Sequence, residues 1–226
     1  MKPNLLTLLA GLALAGPALA QDPAPADPAN KAQDAEAEKP KVYEVGTQVP
    51  EELTLVDMDG KKLSMKEARG KVVVMVWYAY KCPAIKQANP LLKKMAAAYA
   101  KTDGEVLMIG INSDRGELLD AKPEGVDEDG NPKKPFHALR TALQKNKMNF
   151  PVFIDKGNVV ADLFQAKTTP HVFVLDAKGV VRYSGALDND PRGSKKADEK
   201  VNYVNEAVKA IRAGEEVQTA TTRPYG

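Results

Sequence analysis

Residues Lys71 to Trp77 read KVVVMVW, a nearly unbroken β-branched run. A run of this kind predicts a central strand covered on both faces, as in a parallel sheet. From Pro83 to Ala100, Ile85, Ala88, Leu91, Leu92, Met95 and Tyr99 then recur at helical spacing. The chain therefore goes strand, turn, helix, and the turn between them holds Cys82, the only cysteine.

The flanking segments extend this unit. TLVDMDGKKLSM alternates apolar and polar residues around Asp59-Gly60, which predicts a short hairpin feeding the main sheet. EVLMIGIN, Glu105 to Asn112, reads as a second buried strand, and the polar stretch Ser113 to Lys134 as a surface insertion of mixed charge. A helix is predicted from Phe136 to about Lys147, then a strand in FPVFID and a short helix from Val159 to Phe164. The strands HVFVLD and VVRYSG flank a turn at Ala177-Lys178-Gly179. A last amphipathic helix, about Asp198 to Ala213, places Val201, Val204, Ala207, Val208 and Ile211 on one face. Alternating strands and helices closed by a hairpin and a helix define an α/β sandwich.

The amino-terminal residues carry a different message. Lys2 precedes the apolar run LLTLLAGLALAGPALA, which closes on small residues at Ala18 and Ala20. Residues 1–20 are thus predicted to be a signal peptide, too short to span a bilayer comfortably and without a cysteine at the cleavage point for a lipid. An exported protein, periplasmic or extracellular and soluble once cleaved, is the expectation. Residues 21–41, rich in Ala, Pro, Asp, Glu and Lys, hold no large hydrophobe and predict a flexible linker, and residues 42–226 a single domain. The formal charge of +2 is close to balance, so nothing in the composition calls for nucleic acid or a membrane surface.

Cys82 stands where strand gives way to helix, with Pro83 at the first helical position, which tolerates proline best. Unpaired amides at a helix start stabilise a thiolate, as do nearby cations, and Lys81 and Lys86 flank this sulfur. A lone cysteine can equally be a buried, inert hydrophobe. The helix start favours the reactive thiol.

The stretch VVVMVWYAYKCPAI, with Pro90 eight residues beyond Cys82, resembles the redoxin, or alkyl-hydroperoxide-reductase-like, branch of the thioredoxin superfamily. Thr169-Pro170 followed by HVFVLDAKG, together with NFPVFID and YSGALDND, is similar to the same family, from about Tyr43 onward. The resemblance implies a thioredoxin-like three-layer sandwich with a mixed central sheet. It also implies a cis proline at Pro170 beside the thiol, with the backbone of Thr169 pairing to an extended substrate. Several residues depart from the family pattern. Ile85 occupies the place of the second cysteine of a Cys-x-x-Cys pair, and Val76 that of a buried acid. Ala79 and Met75 stand where peroxiredoxins keep a Thr or Ser and a proline. Related redoxins often continue past a Pro-aromatic-Gly stretch into another cysteine; here Pro224, Tyr225 and Gly226 come last, so the second thiol is either missing or lies past the given sequence.

The resulting expectation is an extracytoplasmic thiol oxidoreductase in which Cys82 attacks a disulfide or peroxide and an external thiol resolves the adduct. In it Thr169, Pro170 and Pro83 position the partner, Lys81 and Lys86 support the thiolate, and His171 shuttles a proton. No cofactor is implied. Trp77, Tyr78 and Tyr80 either shape a groove at the thiol or belong to core and rim. The alternative is a binding module of the same fold without turnover, or a copper carrier using Cys82 and His171; one Cys and one His are too few to close a metal site.

Overall fold

The computed structural model describes residues 41–226. The expected signal peptide and the expected linker up to residue 40 lie outside the described residues. In chain order the strands are β1 (Thr54–Val56), β2 (Lys62–Ser64), β3 (Val72–Trp77), β4 (Val106–Asn112), β5 (Val152–Ile154), β6 (Val172–Leu175) and β7 (Val181–Gly185). The helices are α1 (Pro83–Tyr99), α2 (His137–Lys145), α3 (Val159–Phe164) and α4 (Tyr203–Ala213).

β3 is buried along its whole length. Side chains of a strand alternate between faces, so Val72, Val74 and Val76 enter one apolar cluster while Val73, Met75 and Trp77 enter another. The first cluster is closed by Ile85, Leu92 and Met95 of α1, Leu139 and Leu143 of α2, and Val204 and Val208 of α4. The second is closed by Val160 and Phe164 of α3 and by Leu55 and Met65 at the hairpin. Fully buried side chains such as Ile85 and Leu92 contribute about 1.5–3 kcal/mol each. The sheet between these layers has the order β5-β4-β3-β6-β7. β3 pairs in parallel with β4 and antiparallel with β6, and β6 pairs antiparallel with β7, so the sheet is mixed. The three-layer thioredoxin-like sandwich is the fold.

Three segments differ from the sequence expectation. The hairpin forms, in the register Leu55↔Leu63, but as a two-stranded sheet of its own that does not extend the main one. Its apolar residues point under the main sheet, which makes it a cover for that face; one bridge, Asp57↔Phe153, ties it to the edge. The last helix starts at Tyr203 and not at Asp198, because Ala197–Glu199 closes a separate 3-10 turn and the Asn202 side chain accepts from the amide of Asn205 at 2.9 Å. Val201 is therefore off the helix and 40% exposed. Within the 113–134 stretch, which holds no helix or strand, Glu117 and Leu118 are buried rather than solvated.

After α4 the chain turns at Gly214 and returns along β7. Ser184 N donates to Ala220 O at 3.0 Å and Thr222 N to Ser184 O at 3.1 Å. The Thr222 hydroxyl accepts from Ala186 N at 2.8 Å and bonds the Tyr183 hydroxyl at 2.7 Å. Gly185 must lack a side chain here, since a Cβ would collide with Thr222. Among the described residues no helix is long and apolar enough to cross a membrane.

Candidate active site

The antiparallel pairing of β3 with β6 brings the end of one strand to the start of the other, with Val76 opposite Val172 and Trp77 N bonded to His171 O at 2.9 Å. The loops that follow β3 and precede β6 therefore lie side by side. One carries Cys82 and the other Thr169 and Pro170.

Cys82 is the N-cap of α1, in an extended conformation (φ −62°, ψ 126°), with Pro83 as the first helical residue. Its carbonyl accepts from Lys86 N at 3.0 Å, which starts the helical ladder. The sulfur is half-buried and donates to the Thr169 carbonyl at 3.0 Å. The Thr169-Pro170 peptide is cis and Pro170 is buried. Cys82, Pro83, Thr169 and Pro170 thus come together in one place. α1 runs through Pro90 without a break.

The other candidates are placed differently. The Lys81 ammonium lies 3.3 Å from the Gly116 carbonyl and 5.5 Å from the Tyr80 ring centre, and its described contacts do not include the sulfur. Lys86 is exposed and enters none of the described ion pairs. His171 requires a correction. Strand alternation turns its ring to the face opposite the thiol, against Phe173 at 4.4 Å, while Cys82 packs against the other cluster. Its Nδ1 accepts from Lys167 N at 3.2 Å and its Nε2 meets Ser184 Oγ at 3.2 Å. Burial first, and the Lys167 charge second, push the imidazole down to about 4. A ring so engaged neither passes a proton to Cys82 nor shares a copper ion with it. Trp77 and Tyr78 are core residues rather than groove walls, and Tyr80 is half-buried.

One residue of the site has no counterpart in the sequence expectation. Glu117, only 2% exposed, accepts from Tyr80 N at 3.0 Å, Lys81 N at 2.6 Å and Asn112 Nδ2 at 2.7 Å. It clamps the loop that leads into Cys82. Burial pushes its carboxyl up against the opposing pull of these donors, and Asp114 adds to the rise. A signal for it exists in the sequence: Asp114-Arg115-Gly116-Glu117 has the spacing of a capping box, and Asp114 Oδ1 does accept from Glu117 N at 2.9 Å.

The fold and this site define a thiol protein of the thioredoxin superfamily. The model of the AhpC/TSA family matches residues 45–184, and the chain belongs to that family. The match runs from before β1 into β7 and includes Cys82, Thr169 and Pro170. Among curated proteins, the chain is 23% identical over 145 residues to a thiol-disulfide oxidoreductase ResA of Bacillus cereus, covering 64% of this chain and 70% of that one. It is 31% identical over 143 residues to the chloroplastic peroxiredoxin Q of Triticum aestivum, covering 60% and 56%. Among solved structures, an uncharacterized conserved protein from Geobacillus kaustophilus shares the fold with a TM-score of 0.62 at 21% identity, over 81% of this chain and 89% of that one. The chain is a redoxin of the thiol-disulfide oxidoreductase and peroxiredoxin kind.

Proposed function

We propose that this protein is an extracytoplasmic redoxin in which Cys82 alone is the nucleophile and an external thiol completes the cycle. The observation that carries this reading is the position of the Cys82 sulfur, half-buried at the start of α1 and 3.0 Å from the carbonyl of Thr169. That carbonyl belongs to the loop on which an extended partner would pair, so the scissile bond would be brought onto the sulfur. In the disulfide reaction the Cys82 thiolate attacks one sulfur of the partner. The partner's S–S bond breaks, its other sulfur leaves as a thiolate, and a mixed disulfide remains. An external thiol then attacks that mixed disulfide, taking the partner half away and returning Cys82 to the reduced state. With a peroxide, the O–O bond breaks instead, one oxygen leaves as alcohol or water, and the resulting sulfenic acid is reduced by external thiols. Likeness to ResA supports the first branch and likeness to peroxiredoxin Q the second.

An external thiol enters the proposed cycle because Ile85, which stands at the second position of a Cys-x-x-Cys pair, carries no sulfur and is fully buried in the core. That same residue favours a second reading, a binding module with the redoxin groove and no turnover. Cys82→Ser separates the two. Loss of disulfide and peroxide turnover, with the far-UV spectrum unchanged, supports the enzyme, whereas full turnover in Cys82→Ser would falsify it. Export is supported by residues 1–20, and an extracytoplasmic protein whose first residue is Gln21 is the expected result of amino-terminal sequencing.

A further inference from the structure

Next to the Cys82 loop the surface opens into a broad depression of about 1510 Å³. Lys167, Arg192, Lys195 and Arg223 line it, together with Thr168 and Tyr225. All four cations are exposed, and none of them enters an ion pair among the described residues. Against these four cations the wall holds one acidic side chain, Asp188, one of whose oxygens accepts from both Asp190 N and the Tyr225 hydroxyl. The balance of charge facing solvent is therefore positive.

Two close approaches place this depression beside the thiol. Gly226 packs so tightly that a Cβ would collide with the Thr168 hydroxyl and with the Thr169 carbonyl, the same carbonyl that faces the Cys82 sulfur. On the opposite side a Cβ on Gly193 would stand 2.7 Å from the Gln87 amide nitrogen. The loop that carries Arg192 and Lys195 therefore leans on α1 little more than a turn beyond Cys82. Arg223 is held in place by its neighbour Thr222, which is bonded to β7. Arg192, Lys195 and Arg223 all lie outside the 45–184 span matched by the family model.

We infer that this depression receives the carboxylates of a small anionic disulfide and delivers its sulfurs to Cys82. The inference rests on the thiol-exchange reading above and names its substrate class. A disulfide with carboxylates a few bonds from its sulfurs would set them against Arg192 and Arg223, whose guanidinium forks suit carboxylate geometry, with Lys195 and Lys167 adding charge. The exchange is balanced as before: the Cys82 sulfur bonds one half of the disulfide, the S–S bond breaks, and the other half leaves as a thiolate that takes a proton from water. Because the cations are exposed, their pull must weaken as salt rises.

The test follows Cys82 modification in the whole chain, by intact mass, with the dianionic 5,5′-dithiobis(2-nitrobenzoate) and the neutral 2,2′-dithiodipyridine. The pair Arg192→Glu and Lys195→Glu is compared with the unaltered protein at low and at physiological salt. The anionic-to-neutral rate ratio is expected to fall on the order of tenfold in the charge-reversed protein at low salt, and by less at physiological salt. An unchanged ratio at both salts overturns the inference while leaving the thiol reading intact. A second measurement titrates glutathione disulfide into Cys82→Ser and into Cys82→Ser with both reversals, following backbone NMR shifts. Shifts at Lys167, Arg192 and Arg223 that vanish with the reversals support the anion site even if Cys82 proves unreactive, an outcome that fails the redox reading alone. Absence of those shifts in Cys82→Ser overturns it, as does binding of an acidic cystine-bridged peptide without binding of glutathione disulfide.

Discussion

Acid sets the buried His171 ring against its surroundings. Its Nδ1 accepts the Lys167 amide, so the ring proton sits on Nε2, where it is donated to Ser184 Oγ. A second proton would have to enter at Nδ1, facing an N–H group inside a buried site. Burial and the Lys167 charge accordingly hold the ring at about 4, against about 6.5 in an unfolded chain. Between those values the unfolded state binds the proton and the folded state does not, so stability is full above pH ~6.5 and is lost as pH falls toward the folded value. The loss from this one group is about 2 kcal/mol at pH ~5 and about 3 kcal/mol at pH ~4, a large part of the ~5–15 kcal/mol that a domain has in all. Urea unfolding followed by the fluorescence of Trp77, the only tryptophan and a core residue, measures it. The same series on His171→Gln isolates it, since Gln keeps a hydrogen-bonding side chain without a titrating ring. Carboxylates held down in the folded state, Asp59 by Arg140 and Asp190 by Lys200, add acid sensitivity to both proteins and cancel in the difference. Curves for the two proteins that run parallel from pH ~7 to ~4 would refute the reasoning. In the folded protein the first consequence of protonation is release of the Lys167 amide, two residues before the carbonyl that faces the thiol.

Two further perturbations probe the elements that hold the site. Glu117→Ala leaves the amides of Tyr80 and Lys81 and the side chain of Asn112 without their acceptor, and is expected to cost about 2–3 kcal/mol and to change the iodoacetamide rate at Cys82. Glu117→Gln, which retains one acceptor oxygen, should fall between it and the unaltered protein; equal melting temperatures and alkylation rates for all three would count against the clamp. Gly185→Ala drives a Cβ into Thr222 and is expected to strip the carboxyl-terminal segment from β7. Hydrogen exchange should then accelerate at the Ser184 and Ala186 amides, which bond that segment, while β3 and β4 stay protected. Unchanged exchange at those two amides would show that the segment tolerates the methyl group.

What the sequence makes legible follows from how local each signal is. β3, the Cys82-Pro83 junction and α1 are read from periodicity and from a proline placed where a helix begins, all within a span of consecutive residues. The cis Thr169-Pro170 bond and its place beside the sulfur are reached only through resemblance, because the contact joins residues far apart in the chain. His171 departs from its expected role for a reason the sequence itself contains: in HVFVLD, alternation puts residue 171 with Phe173, away from Val172 and from the face on which Cys82 packs. Glu117 is hidden among the many charges of the 113–134 stretch, where polarity says only that a segment avoids the core on average and not which acid the fold turns inward. The segment after Gly214 has no alternation to read, since it is fixed by backbone bonds to Ser184 and by the hydroxyls of Thr222 and Tyr225.

These placements bear on how the proposed exchange must run. Val76 is fully buried among apolar side chains, so the strand offers no acid beneath the thiol. Glu117 reaches the neighbourhood from another element, yet its described hydrogen bonds to the preceding loop go to backbone amides and hold geometry. His171 faces away, and Lys81 is engaged at Gly116. Among the described side chains none is therefore bonded to the Cys82 sulfur as a proton donor or acceptor; its partner is the Thr169 carbonyl, which accepts and cannot give a proton. In the proposed exchange the proton for a departing thiolate comes from water, from the incoming partner or from the exposed Lys86, and the resolving thiol from an external partner. A site that supplies one nucleophile and little acid or base gains its rate chiefly from how a partner is seated. That shifts the determinants of specificity from the residues around the sulfur to the surface beside it, where Lys167, Arg192, Lys195 and Arg223 face solvent without ion-pair partners among the described residues.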